Sequence, residues 1–432
     1  MGKELLNFNF KNVYSIWGRF TVKQNDQLEF VFSTLLEQTS VQRALDFIEE
    51  NHKQTVAEQI EITEIPAPPF KEQKRAENYL QRLKQLQLDD VTMDDEGNVY
   101  GIRKGLGNGP TLFVSAHLDT VFPEGTDTTV TEKDGILYAP GIGDDTRGLA
   151  EVLSLVRAFN ESNIETEGDI VFGATVGEEG AGDLRGVKAF FKENKHIDGF
   201  ISIDGPRSDY IVYLGTGSYR YKVTYDGPGG HSFGDFGLPT ATHALGRAIA
   251  KISDLQTSSE PRTTFTVGEI SGGTSVNAIA AKASMTVDLR SNEQQSLQAL
   301  EKRLLDVIHE AAQEENERWG SDQLTVDIKK FGDRPSAQQP KDLPIIQAAI
   351  GAQKALGRNP KLASASSTDA NYPMSLGIPS ITLGRGGQGG KSHTLEEWHN
   401  PTGGYTAVQN SFLTIISLVG IKGLTKPLLK KH

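Results

Sequence analysis

Apolar runs that end in acids or imidazoles recur along this chain. Phe113-Val114 leads into Ser115-Ala116-His117-Leu118-Asp119-Thr120, the run 170–176 precedes Glu178-Glu179, and the run 200–203 precedes Asp204. Short continuous apolar runs suit strands buried on both faces, so the polar residues that follow them stand at strand ends. Open α/β sheets build their sites there. Upstream the pattern is helical, with Ala44, Leu45 and Ile48 and then Val56 and Ile60, until Pro66, Pro68 and Pro69 break it. A second helix is predicted over 72–86 and a strand over 98–102, with Gly105, Gly107, Gly109 and Pro110 turning the chain into the His117 strand. Strands and helices then alternate to about residue 213.

Between about 215 and 332 the order changes. Strands are predicted at 219–225, 263–270, 283–289 and 324–331, and helices at 240–255 and 293–318. This βαββαβ order makes a ferredoxin-like two-layer sandwich, complete in itself and suited to insertion. A helix at 343–356 and a strand at 378–383 then resume the first pattern, which returns Lys391-Ser392-His393-Thr394 to the first domain. The expected organisation is an N-terminal extension (1–40), a catalytic α/β domain in two parts (41–214 and 333–432) and the inserted domain (215–332). The extension mixes Phe8, Phe10, Tyr14, Trp17, Phe20, Phe30 and Phe32 with polar residues at no clean period, and carries no assigned role.

Composition narrows the chemistry. A net charge of -12 over 432 residues disfavours nucleic acid and anionic membranes as partners, which leaves small molecules or peptides. With no cysteine there are no thiolate ligands, so any metal must rest on His and carboxylate. The longest apolar stretch, 412–421, contains Ser417 and Gly420 and suits a buried strand or helix better than a membrane span. With no secretory or myristoylation signal at the N-terminus, a cytoplasmic protein is expected.

Acids at 144, 178, 179 and 204 and imidazoles at 117 and 393, brought to one pocket, would repel and strip each other of water unless cations neutralised them. Two divalent ions bridged by one carboxylate solve that problem and leave room for water and substrate. At this point the residues resemble a known family, the dinuclear-zinc exopeptidases and deacylases that include peptidase T, carboxypeptidase G-type enzymes, acetylornithine deacetylase and succinyl-diaminopimelate desuccinylase. The resemblance runs over about 41–425. It rests on the order and spacing of Ile65-Pro66-Ala67-Pro68-Pro69 and of the stretches 115–120, 141–148, 177–180, 229–232 and 389–396.

The resemblance implies a three-layer αβα zinc-exopeptidase domain with a ferredoxin-like lid that also dimerises. It makes His117, Asp144, Glu179, Asp204 and His393 the metal ligands, Asp144 bridging, for two zinc ions or, with the same ligand types, cobalt or manganese. Asp119 would orient His117, and Glu178 would be the general base that takes a proton from the attacking water. His231 would steady the oxyanion from the partner subunit of a homodimer, while Asn277 and Arg290 would hold substrate, Arg290 through a free carboxylate. Thr146-Arg147 departs from the Lys that many members carry after the Asp pair. Asp204 resembles the peptidase T-like aminopeptidases, where deacylase branches more often carry Glu, so the expected reaction is hydrolysis of an amide near the end of a short peptide. The alternative on the same site is N-acyl-amino-acid amidohydrolysis.

Taken singly, these residues have plainer readings. His117 could be a hydrogen-bonded structural imidazole, Glu178-Glu179 a solvated helix cap, Asp204 the start of a turn, and Arg290 the partner of a neighbouring acid. Asp145 is expected to serve the loop backbone, and His243 and His399 to be structural. The glycine-rich loop at 384–392 invites a nucleotide-binding reading, but Arg385 stands where a phosphate loop needs glycine. A third reading is a homologue without activity, kept as a dimer scaffold.

Overall fold

The computed structural model describes residues 28–431, so Phe8, Phe10, Tyr14, Trp17 and Phe20 of the expected extension lie outside the described residues. A helix over 28–36 sets Val31, Phe32 and Leu35 into the main core. The break expected at residue 40 is therefore absent, and the chain packs with the catalytic domain from residue 28 onward.

That domain is built on an eight-stranded sheet ordered Asp89–Met93, Val99–Arg103, Asp169–Thr175, Thr111–His117, Gly199–Gly205, Ser380–Gly384, Tyr210–Val212, Lys361–Leu362. The four strands from Asp169–Thr175 to Ser380–Gly384 run parallel, so their carboxyl ends share one edge. Alternation sends Leu112, Val114 and Ala116 to one face and Phe113 to the other. The first face is covered by helices including Thr146–Ser162, Pro344–Ala355 and Tyr405–Val419. Arg185–Glu193 and Asn371–Ser375 cover the second. This is the three-layer order that the family resemblance implies. On the second face Phe113 stacks on Phe190 at 4.0 Å between ring centroids and tilts against Phe200 at 5.3 Å. The apolar run 412–421 lies mostly in the buried helix Tyr405–Val419.

The inserted domain begins with Gly217–Asp226 and ends with Thr325–Arg334. Its antiparallel sheet is ordered Thr263–Gly272, Lys282–Ser291, Gly217–Asp226, Thr325–Arg334, the ferredoxin-like order. Tyr219, Tyr221, Val223, Tyr225, Met285, Val287 and Leu289 pack under the helices Ala241–Ser253 and Gln294–Trp319. The intervening residues Arg220, Asp288 and Arg290 fall on the opposite face, toward the catalytic domain. The two segments that cross between domains are tied by Gly215 and Ala337, each amide donating to the other's carbonyl at 2.8 and 3.0 Å. A small sheet of Gln388–Gly390, Trp398–Asn400, Ile136–Tyr138 and Thr131–Lys133 was not expected. Three-residue strands are too short to show a period.

Candidate metal centre

The parallel strands deliver their terminal residues to one place. His117 closes the strand Thr111–His117, and its Nε2 lies 3.2 Å from Asp144 Oδ1 and 3.8 Å from Asp204 Oδ1. His393 Nε2 lies 2.8 Å from Glu179 Oε1 and 3.4 Å from Asp144 Oδ2. The two oxygens of Asp144 thus face different imidazoles, an arrangement suited to a bridging carboxylate. All the side chains proposed as ligands meet here, although they come from separate strand ends and loops.

The supports differ from those expected. His117 Nδ1 is 3.0 Å from the main-chain carbonyl of Asp119, whereas the Asp119 carboxylate is 3.7 Å away. The ring is therefore oriented by the Asp119 carbonyl. The Asp119 carboxylate instead accepts the amides of Glu178, at 3.0 Å, and Glu179, at 2.7 Å. Since Asp119 is buried, this bond pair ties the Glu loop to the His117 loop. Asp144 is held through its main chain: Glu397 accepts the amides of Gly141 at 2.8 Å and of Gly143 and Asp144 at 2.9 Å. Asp145 is fully buried and accepts the amide of His117 at 3.0 Å.

Thr146 and Arg147 work on the loops around Asp144. Thr146 Oγ1 donates to the Gly141 carbonyl at 2.8 Å, and Arg147 pairs with Glu151 at 3.0 Å while donating to the Gly404 carbonyl at 3.1 Å. The cation beside Asp144 comes instead from Arg385, whose Nη1 is 2.8 Å from Asp144, 3.3 Å from Asp145 and 3.5 Å from Asp204. Glycines around Arg385 are needed for main-chain crowding. A Cβ at Gly384 would sit 1.5 Å from the Arg207 carbonyl oxygen, and one at Gly386 would sit 1.9 Å from that of Gly404. This accounts for the glycine-rich loop without a phosphate.

Proton affinities show that the donors suit cations. Burial opposes charge on His117, but Asp144, Asp145, Asp204 and Asp119 outweigh it and hold the ring well above the ordinary imidazole range. Hydrogen bonds that its ring donates to Asp144 and Glu179 raise His393 to about 10. Burial pushes Asp204 up to about 7, and drives Glu178 well above the usual carboxylate range against the pull of Arg334. Where no ion is present, protons on the imidazoles neutralise the acids. His117, Asp144 and Glu179, and likewise His117, Asp145 and Asp204, offer donor atoms within 4.8 Å of one another, so each trio has the donor types and spacing to hold a metal ion.

A pocket of about 350 Å³ opens over this cluster, lined by Glu178, His393, Ser367, Arg220, Arg290 and Arg334 among others. Arg290 Nε is engaged by Asp288 at 2.7 Å. His231 and Asn277 are not brought to the pocket. They lie together at the exposed lid tip, where Gly230 and His231 pair with Ile279 and Ala278 and the Ser232 amide donates to the Asn277 carbonyl at 3.0 Å. Sequence reasoning did not single out Glu397, Arg334 or Arg220, and treated Arg385 only as a mismatch to a phosphate loop. Glu397, four residues after His393 and followed by Trp398, offered a signal, but an acid in a loop reads as solvated until the amides around it are known.

The family model described as Peptidase family M20/M25/M40 matches residues 113–412. An acetylornithine deacetylase from Photorhabdus laumondii is 27% identical over 70% of this chain and 77% of that protein. Among solved structures, the aminopeptidase PepT of Bacillus cereus superposes with a TM-score of 0.69 at 23% identity, covering 84% of this chain and 98% of that one. A dinuclear metal-binding M20 peptidase from Bacillus subtilis gives 0.66 at 18% identity, covering 86% and 99%. These last two share the fold.

Proposed function

Because the chain belongs to peptidase family M20/M25/M40, hydrolases of peptide and amide bonds, we propose that it is a two-metal peptidase that cuts an amide near the end of a short peptide. The observation that carries this reading is the meeting of His117, Asp144, Glu179, Asp204 and His393 around shared donor positions, with Glu178 beside them. Divalent ions held by those five residues, zinc on our reading and cobalt or manganese as alternatives, would supply an acidified water and a Lewis acid for the scissile carbonyl.

The remaining steps belong to the chain's own residues. Glu178 is buried and its proton affinity is raised, which suits a carboxylate that takes a proton from water and hands it to the leaving nitrogen. Asp119 fixes the Glu178 and Glu179 amides, and so the aim of both side chains. The amides of Phe233 and Gly234 both donate to His231 Nδ1 at 3.2 Å. The ring proton is therefore left on Nε2, a donor for a developing oxyanion. In one chain that donor is remote from the pocket, so our reading includes a homodimer in which His231 and Asn277 reach the partner's site. The terminal nitrogens of Arg290 would take the substrate's free carboxylate.

Asp204 favours an aminopeptidase; the deacetylase relative favours the second reading, hydrolysis of N-acyl amino acids. Tripeptides with a free amine, assayed against acetylated and succinylated amino acids, separate the two. Among the described residues no helix is long and apolar enough to cross a membrane, and we place the enzyme in the cytoplasm. The decisive experiment is metal content together with Glu178→Ala. Two bound ions and a loss of about 100 to 10,000-fold in turnover support the assignment. A fully metallated Glu178→Ala enzyme with near-normal turnover would refute the base.

A further inference from the structure

Arg334 is the last residue of the lid strand Thr325–Arg334, immediately before Pro335, and its side chain is 5% exposed. Its guanidinium is spent on the Glu178 loop. Nη1 donates to Glu178 Oε1 at 3.3 Å and to Ser367 Oγ at 3.2 Å. Nη2 donates to the Glu178 main-chain carbonyl and, at 3.5 Å, to that of Gly180. One planar group thus holds both the carboxylate and the backbone of the same residue, a task for which a point charge on a flexible stem is poorly suited.

The arginine is itself anchored. The Asp333 amide donates to Asp183 Oδ1 at 2.7 Å and Lys188 Nζ donates to the Asp333 carbonyl at 2.9 Å, both ties reaching the catalytic domain. Gly215 and Ala337 pair at the same crossing. These bonds on both sides of Arg334 hold it to the catalytic domain. We propose that Arg334 is the positioning residue that aims Glu178, carried by the inserted domain but tied to the catalytic domain on both sides of the crossing. This rests on the reading of Glu178 as the base.

The test uses Arg334→Ala and Arg334→Lys in the full-length, metal-loaded enzyme, with Glu178→Ala alongside and a peptide that the wild-type enzyme cleaves. Misplacement of a catalytic group by about 1 Å costs on the order of 100-fold, so Arg334→Ala should lose about that in kcat, with metal content kept and KM within about threefold. Arg334→Lys should fall between, and guanidinium ion added to Arg334→Ala should restore part of kcat. If Arg334→Ala does not accumulate as folded protein, Arg334→Lys carries the test through the same split. A rise in KM with kcat unchanged would overturn the proposal by assigning Arg334 to substrate, and so would unchanged kinetics in either variant. An active Glu178→Ala enzyme would instead remove the base reading, a separable failure.

Discussion

At the carboxyl ends of the parallel strands, His117, Asp119, Glu178 and Glu179 are buried and bonded to one another beside the pocket. At the lid tip, His231 stands exposed near Phe233 and Phe236, which are 88% and 77% exposed, with Val276 fully exposed beside Asn277. The first region is a finished interior. The second places large apolar side chains in water next to His231, which is the kind of surface the proposed dimer would cover. On the proposed reading, one chain builds the part of the site that would hold ions and move protons, and holds the proposed oxyanion donor at a distance from it.

The largest expected effect is at His231. Removing an oxyanion donor costs about 100 to 1,000-fold in kcat, so His231→Ala should lose that much while binding its metals normally. Mixing His231→Ala with Glu178→Ala sharpens the point. If the lid tip serves the partner, mixed dimers pair an intact Glu178 from one chain with an intact His231 from the other, and activity reappears. No recovery after subunit exchange, verified by mass measurement of the mixed dimer, would return the histidine to its own chain's site.

Arg290 lies between the two extremes, on the lid but lining the pocket. A charge-assisted bond to a substrate carboxylate contributes about 1.5 to 3 kcal/mol, so Arg290→Ala should lower kcat/KM by about 10 to 100-fold. The loss should vanish for substrates whose carboxylate is amidated. An equal loss for acid and amide would assign Arg290 to its pairing with Asp288.

The difference between the two regions also explains what was legible in the sequence. His117, Glu178-Glu179 and Asp204 could be found because they follow apolar runs, and an apolar run fixes both a strand and where it ends. The inserted domain was legible for the same reason, since its alternation at 219–225 and 283–289 matches the strands Gly217–Asp226 and Lys282–Ser291. What could not be read was long-range pairing among polar groups. Glu397 beneath the Asp144 loop, Arg385 among the acids and Arg334 on Glu178 sit in loops or at a strand end, where periodicity is silent and only the closed fold shows which charge meets which. That the Asp119 carbonyl lies nearer His117 Nδ1 than its carboxylate does is likewise a detail that no pattern encodes.

The smallest expected effect comes from pH, and it separates the two regions by stability instead of rate. Without ions, His393 binds its proton more tightly folded than unfolded, near 10 against an ordinary 6.5, and His117 is raised as well. Such rings stabilise the fold fully below 6.5 and lose that contribution as pH climbs through the folded value. Asp204, raised from 3.8 to about 7, acts in the same direction at lower pH. The chelated protein should therefore melt at progressively lower temperature between pH 6.5 and 10, and His393→Ala should flatten that slope. His231→Ala, at the lid tip, should leave it unchanged. Added divalent ions compete with protons for the same donors, so they should raise the melting temperature most at the alkaline end. A chelated protein whose melting temperature is level across this range, measured calorimetrically, would mean that the imidazoles are not coupled to the acids around them, and that the metal end is no more charge-strained than the tip.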